Sequence, residues 1–305
     1  MTLPESVRIV EVGPRDGLQN ESAIVAAQTK VAFIRKLAET GLTQIEATSF
    51  VHPNAIPQLA DADEVMRQLA PVEGVTYSAL VPNERGLARA IDAGVRRIAV
   101  FTAASDSFAR HNINMTVDES LAAFALVVAR GRHVGMTVRG YVSTSFVCPY
   151  EGDVPKERVR EVTQRLLDMG VDEVAISDTI GAAGPTDVFE TVGHLLKTIP
   201  AGSLALHLHD TYGTALANVL AGLQLGIRTF DAAAGGLGGC PYAPGASGNL
   251  ATEDLVYMLD RMEIACGVDL AKVLAACEAI AAALSHGLDS KQWRRLKASC
   301  DAPPT

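Results

Sequence analysis

The sequence predicts an α/β protein in which eight strands, each followed by a helix, close into a TIM barrel with an additional C-terminal helix. Short apolar runs alternate strictly with segments of helical spacing, and this alternation implies a parallel sheet. Eight such units over roughly 250 residues match the size of a (β/α)8 barrel. No linker or change in composition divides the 305 residues, of which 48% are hydrophobic and 20% charged.

The strands are predicted from short β-branched and apolar runs. The first covers residues 7–12 and ends in a turn, residues 13–17, that carries two charged side chains. The other seven are predicted at residues 44–48, 76–80, 97–101, 137–142, 173–177, 204–208 and 229–233. A doubly wound open sheet is the alternative, but no Gly-x-Gly-x-x-Gly pattern follows the first strand.

The helices are predicted from their caps and their apolar spacing. Asn83 and the capping box at residues 116–119 begin two helices, Pro155 stands in a first turn, and Gly41 ends a helix. The predicted helices cover residues 23–39, 60–69, 83–93, 116–130, 155–169, 186–197, 215–225 and 250–265.

A further predicted helix, residues 269–284, follows the last barrel unit and leads to a short tail. We therefore divide the chain into a barrel domain, residues 1–268, and a C-terminal helical extension with its tail, residues 269–305, packed on the barrel. The tail segment 291–297 is basic. Charge runs of this kind usually form a solvated or subunit-contact surface, and an anion clamp is the alternative.

Composition narrows the classes of partner. The net charge of -9 argues against a nucleic acid or a membrane surface as the main partner. The sequence shows neither a bilayer-spanning apolar run nor a signal peptide. The five cysteines are odd in number and lack zinc or redox spacing, so we expect reduced thiols in a cytoplasmic protein. A small molecule is the expected partner.

Polar side chains collect where the strands of the predicted barrel end. In TIM barrels the active site lies at these C-terminal ends. The candidates in chain order are Arg15, Asp16, Glu46, Asp178, His207, His209, Cys240 and Asn249. The loops at the opposite end of the strands carry nothing comparable.

His207 and His209 are two residues apart on a strand, so their side chains share a face. With Asp16 and Asn249 nearby, they offer two nitrogens and two oxygens to a divalent metal. This set suits octahedral Mg²⁺ or Mn²⁺, although the ligand types also permit zinc. A pair of hydrogen-bonded core histidines is the alternative. The convergence of acidic and amide groups at the same mouth favours the metal.

Arg15 presents a permanently charged, planar fork of donors beside this cluster. It could stabilise an enolate or carboxylate oxygen, or it could simply form an ion pair with Glu46 or Asp178. Those two carboxylates could orient Arg15 and the histidines, or could only satisfy the mouth of the barrel.

Residues 234–249 form a loop with six glycines, two prolines and Cys240. Glycines allow the backbone to approach a ligand closely, and long ordered loops are usually functional. An idle surface loop with an inert cysteine is the alternative. The Cys240 thiol could donate a proton or attack as a thiolate. A metal, an arginine and a proton-donating thiol suit carbon–carbon cleavage α to a carbonyl, with the thiol quenching the enolate.

These stretches resemble the 3-hydroxy-3-methylglutaryl-CoA (HMG-CoA) lyase family, which belongs to a wider group of metal-dependent barrel lyases and Claisen synthases. The matching motifs occur in the family's order and span nearly the whole chain. They are residues 11–20, 45–50, 138–142, 177–181, 207–213 and 235–259.

The resemblance implies cleavage of HMG-CoA to acetyl-CoA and acetoacetate, as in leucine degradation, by a homo-oligomer taken to be a dimer. It implies that Mg²⁺ or Mn²⁺ is held by Asp16, His207, His209 and Asn249. Arg15 would stabilise the enolate, Cys240 would protonate it, and His207 would also accept a proton. The resemblance places Glu46 and Asp178 with the catalytic groups. It assigns substrate binding to Arg15, Gln19, Arg139 and Tyr141. It gives a supporting role to Glu11 and Glu253.

Two segments depart from the family pattern, His52-Pro-Asn-Ala55 and Phe146-Val147. They leave the chemistry intact but leave the acyl group open, so a related 3-hydroxy-3-alkylglutaryl-CoA is a second candidate substrate. A Claisen synthase is a further alternative, although such enzymes usually carry Asn where Asp210 stands. A non-catalytic barrel is disfavoured because every expected catalytic position is filled.

Overall fold

The computed structural model describes residues 3–239 and 248–300, and eight of its strands close into a barrel. The strands are β1 (Arg8–Glu11), β2 (Gln44–Ser49), β3 (Thr76–Leu80), β4 (Arg97–Ala103), β5 (Thr137–Ser143), β6 (Val147–Cys148), β7 (Gly152–Asp153), β8 (Glu173–Asp178), β9 (Leu204–Leu208) and β10 (Thr229–Ala232). The short β6 and β7 form an antiparallel hairpin outside the barrel. The barrel strands are all parallel, and β1 closes the barrel by pairing with both β2 and β10. The predicted TIM barrel is confirmed.

Helices surround the barrel. They are α1 (Ala27–Ala38), α2 (Ala62–Gln68), α3 (Glu84–Asp92), α4 (Asp106–Ile113), α5 (Val117–His133), α6 (Lys156–Asp168), α7 (Pro185–Leu195), α8 (Ala215–Gln224), α9 (Thr252–Arg261), α10 (Leu270–Ala281) and α11 (Lys291–Cys300). None of the helices in the described ranges combines the length and apolar character that crossing a bilayer requires.

The predicted caps of α3 and α5 are present. The Asn83 side chain accepts a hydrogen bond from the Gly86 N–H, and Thr116 and Glu119 form the reciprocal capping box. Pro155 differs from the prediction because it precedes α6 as the N-cap residue, so the helix begins at Lys156.

Two helices were not predicted, α4 and α11. The eight-residue α4 begins after Ser105, whose hydroxyl accepts the Phe108 N–H, and it makes the connection from β4 to β5 two-helical. The basic tail segment is helical because Asp254 of α9 accepts the N–H groups of Lys291 and Gln292. The Ser290 hydroxyl also accepts the Trp293 N–H at 3.1 Å, so the cap of α11 combines a local serine with an acidic residue that is distant in sequence.

The interior of the barrel contains several buried charged side chains. Small side chains on the inner face, Ala99, Ala175 and Ala205, pack around Tyr141 and leave room along the axis. The guanidinium of Arg139 lies over the Tyr141 ring, 5.0 Å from its centroid, and Arg139 is only 2% exposed. A charge buried to this extent requires partners within the protein, and these partners connect the core to the site described below.

The C-terminal helices share the hydrophobic core of the barrel. Helix α10 packs against α1, and Val273, Cys277 and Ile280 are buried in the same cluster as the barrel residues. Leu288 and Trp293 join this cluster. The division of the chain at residue 268 stays a prediction.

Gly41 lies where the α1–β2 turn meets the chain that leads to α10. Its φ is 98°, and an added Cβ would lie 2.0 Å from the Gly267 carbonyl oxygen. We expect Gly41→Ala to lower the free energy of unfolding by roughly 2–4 kcal/mol, because backbone strain adds to a steric overlap. The matched control is Gly74→Ala, at φ 79° with nothing within 4 Å, which should cost only about 1 kcal/mol. Urea unfolding measures both, and equal losses would contradict this account.

Candidate active site

The turn after β1 brings Arg15 and Asp16 to the mouth of the barrel. Gly13–Gly17 form one π-helical turn, in which the N–H groups of Arg15, Asp16 and Gly17 all point to the Val12 carbonyl oxygen. Gly13 lets Glu11 pack against this turn, because an added Cβ would lie 2.6 Å from Glu11 Oε1 and would displace that side chain. The tight turn therefore presents two adjacent charged side chains to the same space.

Asp16, His207 and His209 form a cluster that could hold a metal ion. The Nε2 atoms of His207 and His209 each lie 3.7 Å from Asp16 Oδ2. The candidate ligand atoms of the three residues all lie within 4.8 Å of one another. The two imidazole rings are nearly perpendicular, at 88°, and each has its Nε2 near the same carboxylate oxygen.

Asn249 completes this cluster from the loop after β10. Its Nδ2 donates to Asp16 Oδ2 at 2.8 Å and to the Leu237 carbonyl oxygen at 3.1 Å. Asn249 Oδ1 and His209 Nε2 are buried and have no hydrogen-bond partner in the described part of the chain. Buried polar atoms without partners are costly and call for an explanation. A divalent cation bound by nitrogen and oxygen ligands fits both orphan atoms.

The other ring nitrogen of each histidine is hydrogen-bonded. His207 Nδ1 lies 3.1 Å from Asp231 Oδ2, and His209 Nδ1 lies 3.0 Å from the Asp178 carbonyl oxygen. Such partners orient imidazoles that bind metals. Asp231 was missed by the sequence analysis, although an isolated acidic residue in the apolar strand β10 was the available signal.

Arg15 is held beside the cluster by two carboxylates. It donates to Glu46 Oε1 through Nε and to Asp16 Oδ1 through Nη1. Glu46 Oε2 accepts a hydrogen bond of 3.0 Å from the Tyr141 hydroxyl. Burial disfavours the charged forms of both Arg15 and Asp16. Nevertheless, Arg15 and the two histidines hold the pKa of Asp16 well below its usual range. Likewise, Glu46 and Asp16 raise the pKa of Arg15. The ion pair that the sequence left open between Arg15 and Glu46 is present.

The structure places two predicted site residues away from the cavity. Arg139, predicted to bind substrate, donates to Glu173 at 3.0 Å, to Asp231 at 2.7 and 2.9 Å, and to Tyr141 at 2.9 Å. Its donors are therefore directed at other side chains, and it does not line the cavity. The Asp178 carboxylate, predicted to be catalytic, instead accepts the backbone N–H groups of residues 182 and 183. Burial raises the pKa of Asp178 to about 6.

Glu11 and Glu253 fix the start of the glycine loop. Glu11 accepts the N–H groups of Gly13 and Ala234 and the Thr252 hydroxyl. Burial raises the pKa of Glu11 to about 7. Glu253 accepts the Gly235 N–H through both carboxylate oxygens, at 3.1 and 3.0 Å. The two predicted supporting residues therefore hold the backbone that leaves β10.

The ends of the glycine loop lie close together at the mouth of the barrel. Gly248 packs so tightly that an added Cβ would lie 2.4 Å from the Gly236 carbonyl oxygen. The Asn20 side chain donates to the Gly239 carbonyl oxygen at 2.7 Å. Cys240 lies outside the described residues, so its catalytic role stays a prediction.

A cavity of about 490 Å³ opens above the cluster. Its polar floor consists of Arg15, Asp16, Tyr141, His207 and His209. Its wall contains the apolar side chains of Val51, Ile56, Leu80, Pro82, Phe101, Phe108 and Ile113. Polar and apolar side chains line the cavity in similar measure, and a concave space with converging polar groups beside an apolar wall is typical of a small-molecule site.

Several predicted and unpredicted residues meet at this cavity. Gln19, His52 and Ala55 line it, whereas Phe146 and Val147 do not. Of the two departures from the family pattern, only the one after β2 therefore contacts the cavity. Helix α4, which the sequence analysis missed, supplies part of the wall through Phe108 and Ile113.

We expect His209→Ala to abolish most of the affinity of the purified protein for Mn²⁺. The loss should exceed about 100-fold, because even an outer partner of a ligand is worth 10–100-fold. His52→Ala is the matched control, since His52 lines the same cavity outside the cluster. Isothermal titration of the metal-free proteins measures both affinities. Unchanged binding by His209→Ala would remove His209 from the ligand set.

Comparison with known proteins adds three findings. The HMGL-like family profile matches residues 6–280. A rat protein named cytoplasmic 3-hydroxy-3-methylglutaryl-CoA lyase is 51% identical over 289 residues, which cover 95% of this chain and 84% of that protein. The crystal structure of the Bacillus subtilis HMG-CoA lyase matches with a TM-score of 0.96 at 48% identity, covering 97% of this chain and 100% of that one.

A fourth comparison concerns a structure with ligands. An HMG-CoA lyase from Acinetobacter baumannii, in complex with coenzyme A and 3-methylmalate, matches with a TM-score of 0.92 at 37% identity. The match covers 100% of this chain and 99% of that one.

Proposed function

The chain belongs to the HMGL-like family, and we propose that it is a divalent-metal-dependent lyase that cleaves HMG-CoA to acetyl-CoA and acetoacetate. The observation that carries the proposal is the convergence of Asp16, His207, His209 and Asn249 beside Arg15 in one cavity. The names of the rat and Bacillus subtilis relatives support the substrate. The coenzyme A in the Acinetobacter structure supports an acyl-CoA ligand.

Asp16, His207, His209 and Asn249 would hold Mg²⁺ or Mn²⁺. Oxygen and imidazole ligands without a thiolate suit these ions. When bound, the ion supplies Lewis-acid activation of substrate oxygen atoms. The two orphan atoms, Asn249 Oδ1 and His209 Nε2, support this assignment because each lacks a partner within the described chain.

The reaction requires a base for the 3-hydroxyl group of the substrate. We assign this role to His207, whose Nε2 faces Asp16 and whose Nδ1 lies against the Asp231 carboxylate. That carboxylate stabilises the positive charge that the imidazole gains with the proton. His207 then fills its two assigned roles, as ligand and as proton acceptor, at different stages of the turnover.

Loss of the hydroxyl proton allows the C2–C3 bond of the substrate to break. The C3–O bond becomes the ketone of acetoacetate, and the electron pair of the broken bond passes to the thioester enolate. The guanidinium of Arg15 is fixed by Glu46 and lies 5.5 Å from the Tyr141 ring centroid, so it is preorganised to stabilise the enolate oxygen. Proton transfer from the Cys240 thiol to C2 completes acetyl-CoA, and the proton held by His207 restores the thiol.

The apolar wall serves this chemistry by excluding water from the enolate. Residues after β2 and in α4 belong to this wall, and we propose that they distinguish between acyl groups. We also propose that the protein is a dimer, that it is located in the cytoplasm and that it acts in leucine degradation. The name of the rat relative supports the location, and acetoacetate as product fits the degradation of a branched carbon skeleton.

A substrate panel tests the proposed function directly. We expect HMG-CoA with added Mg²⁺ or Mn²⁺ to yield acetyl-CoA and acetoacetate in equal amounts, measured by chromatography, and chelation to stop the reaction. The panel includes 3-ethyl and 3-propyl analogues and the reverse pair, acetyl-CoA with a 3-oxo acid. Turnover of an analogue alone would redirect the proposal to that acyl group. No cleavage of any member would refute the lyase assignment.

A cysteine variant tests the proton donor. Cys240→Ala should retain Mn²⁺ affinity but lose about 10²–10⁴-fold in kcat, the usual contribution of a positioned acid. Cys266→Ala is the control, because Cys266 lies beside Gly267 near the opposite end of the barrel. Steady-state kinetics and metal titration separate the two effects. An unchanged kcat in Cys240→Ala would exclude Cys240 as the acid.

A further inference from the structure

Seven side chains, six of them buried and Asp16 partly exposed, form a closed ring of polar contacts at the floor of the cavity. In order around the ring they are His207, Asp231, Arg139, Tyr141, Glu46, Arg15 and Asp16. Six of the seven contacts are hydrogen bonds, and the ring closes where Asp16 Oδ2 lies 3.7 Å from His207 Nε2. Four ring members line the cavity, among them the proposed ligands Asp16 and His207 and also Arg15 and Tyr141. The other three, Glu46, Asp231 and Arg139, do not line it.

We propose that Asp231, clamped by Arg139, is a positioning residue that fixes the Nδ1-protonated form and the ring orientation of His207. This inference rests on the proposed function, because it assigns His207 the role of ligand and proton acceptor. A carboxylate only accepts hydrogen bonds, so the His207 nitrogen that contacts it must carry the proton. The lone pair of Nε2 is then directed at the space beside Asp16.

The Asp231 carboxylate is buried, and both of its oxygens are held by other side chains. It is 1% exposed, and Arg139 binds both of its oxygens, with Nη2 at 2.7 Å from Oδ1 and Nη1 at 2.9 Å from Oδ2. This bidentate contact supplies the positive charge that a buried carboxylate requires. Oδ2 is the atom that also contacts His207 Nδ1. The ion pair between Asp231 and Arg139 therefore fixes the position of the His207 imidazole.

Tyr141 restrains the imidazole in a second direction. Its ring lies edge-on to His207, with centroids 5.6 Å apart and planes at 83°. Its hydroxyl accepts from Arg139 and donates to Glu46. Tyr141 therefore links Arg139 to Glu46 and, through Glu46, to Arg15. With Nδ1 held by Asp231 and one face against Tyr141, rotation of the His207 side chain would break contacts on both sides.

Arg139 is anchored in turn at the opposite end of the barrel. Its Nε donates to Glu173 at 3.0 Å, and Glu173 also pairs with Arg8 and Arg97. Glu173 is thus buried in the same charge network but does not contact His207. This arrangement provides a control that separates loss of the network from loss of the contact to the imidazole.

The test compares Asp231→Asn with Glu173→Gln. In Asp231→Asn the negative charge is lost and an NH2 group replaces one oxygen that accepted from Arg139 or His207, so the bidentate clamp that holds the imidazole is broken. We expect the Mn²⁺ affinity of the metal-free protein to fall 10–100-fold, as for other outer partners of ligands. Glu173→Gln should lower the melting temperature without changing this affinity. Isothermal titration and thermal unfolding give the two quantities.

The outcomes distinguish this inference from the proposed function. Failure of the unaltered protein to bind Mn²⁺ or Mg²⁺ would refute the metal-dependent function itself. Equal Mn²⁺ affinity in the unaltered protein and Asp231→Asn would refute the positioning role and leave the lyase assignment standing. An equal loss in Glu173→Gln would show a general effect of the network and would also overturn the specific role of Asp231.

A second measurement reads the unaltered protein and uses a variant only to assign a signal. Nitrogen-15 spectra of histidine-labelled, Mg²⁺-saturated protein report which ring nitrogen of His207 carries the proton, and His207→Asn identifies the signal. We expect one protonated nitrogen, Nδ1, with the shift of a strong hydrogen-bond donor. Protonation at Nε2 would overturn the inference.

Discussion

The arrangement of the site depends on the ion pair between Arg139 and Asp231 inside the barrel. Removing two charges from water carries a large penalty, which is offset only when geometry and hydrogen bonding are nearly complete. The small side chains of Ala99, Ala175 and Ala205 provide the space for this pair and its partners. Because each donor of Arg139 has a defined acceptor, the pair holds the residues above it in defined positions. The polar side chains that line the cavity thus depend for their positions on this buried ion pair.

Much of the fold and part of the site could be predicted from the sequence because the signals are local. Strand and helix periods give the barrel, and the position of His207 and His209 at the end of a strand brings them to its mouth. The caps of α3 and α5 are also local patterns. The start of α11 is only partly local, because Ser290 accepts the Trp293 N–H whereas Asp254 of another helix accepts the N–H groups of Lys291 and Gln292.

The differences between the predicted and the observed positions of site residues have a common physical origin. Strand alternation places Arg139 on the inner face, but it gives no depth along the barrel axis, and Arg139 lies below the cavity. For Asp178 the sequence locates the residue but not the direction of its carboxylate, which binds the following backbone. Asp231 is a single charge in an apolar strand, and its significance appears only when β9 and β10 pair. Side-chain direction across a barrel is set by packing between distant segments.

The closed ring also constrains how this protein can diverge. Substitution of one ring residue leaves a buried charge or hydrogen-bond donor without its partner. Most single substitutions there should therefore destabilise the folded protein. Neutral drift should therefore be slow in the ring and should require compensating pairs of changes. The cavity wall formed by α4 and the segment after β2 contributes no member to this ring. New acyl preferences can evolve there while the reaction chemistry is inherited unchanged.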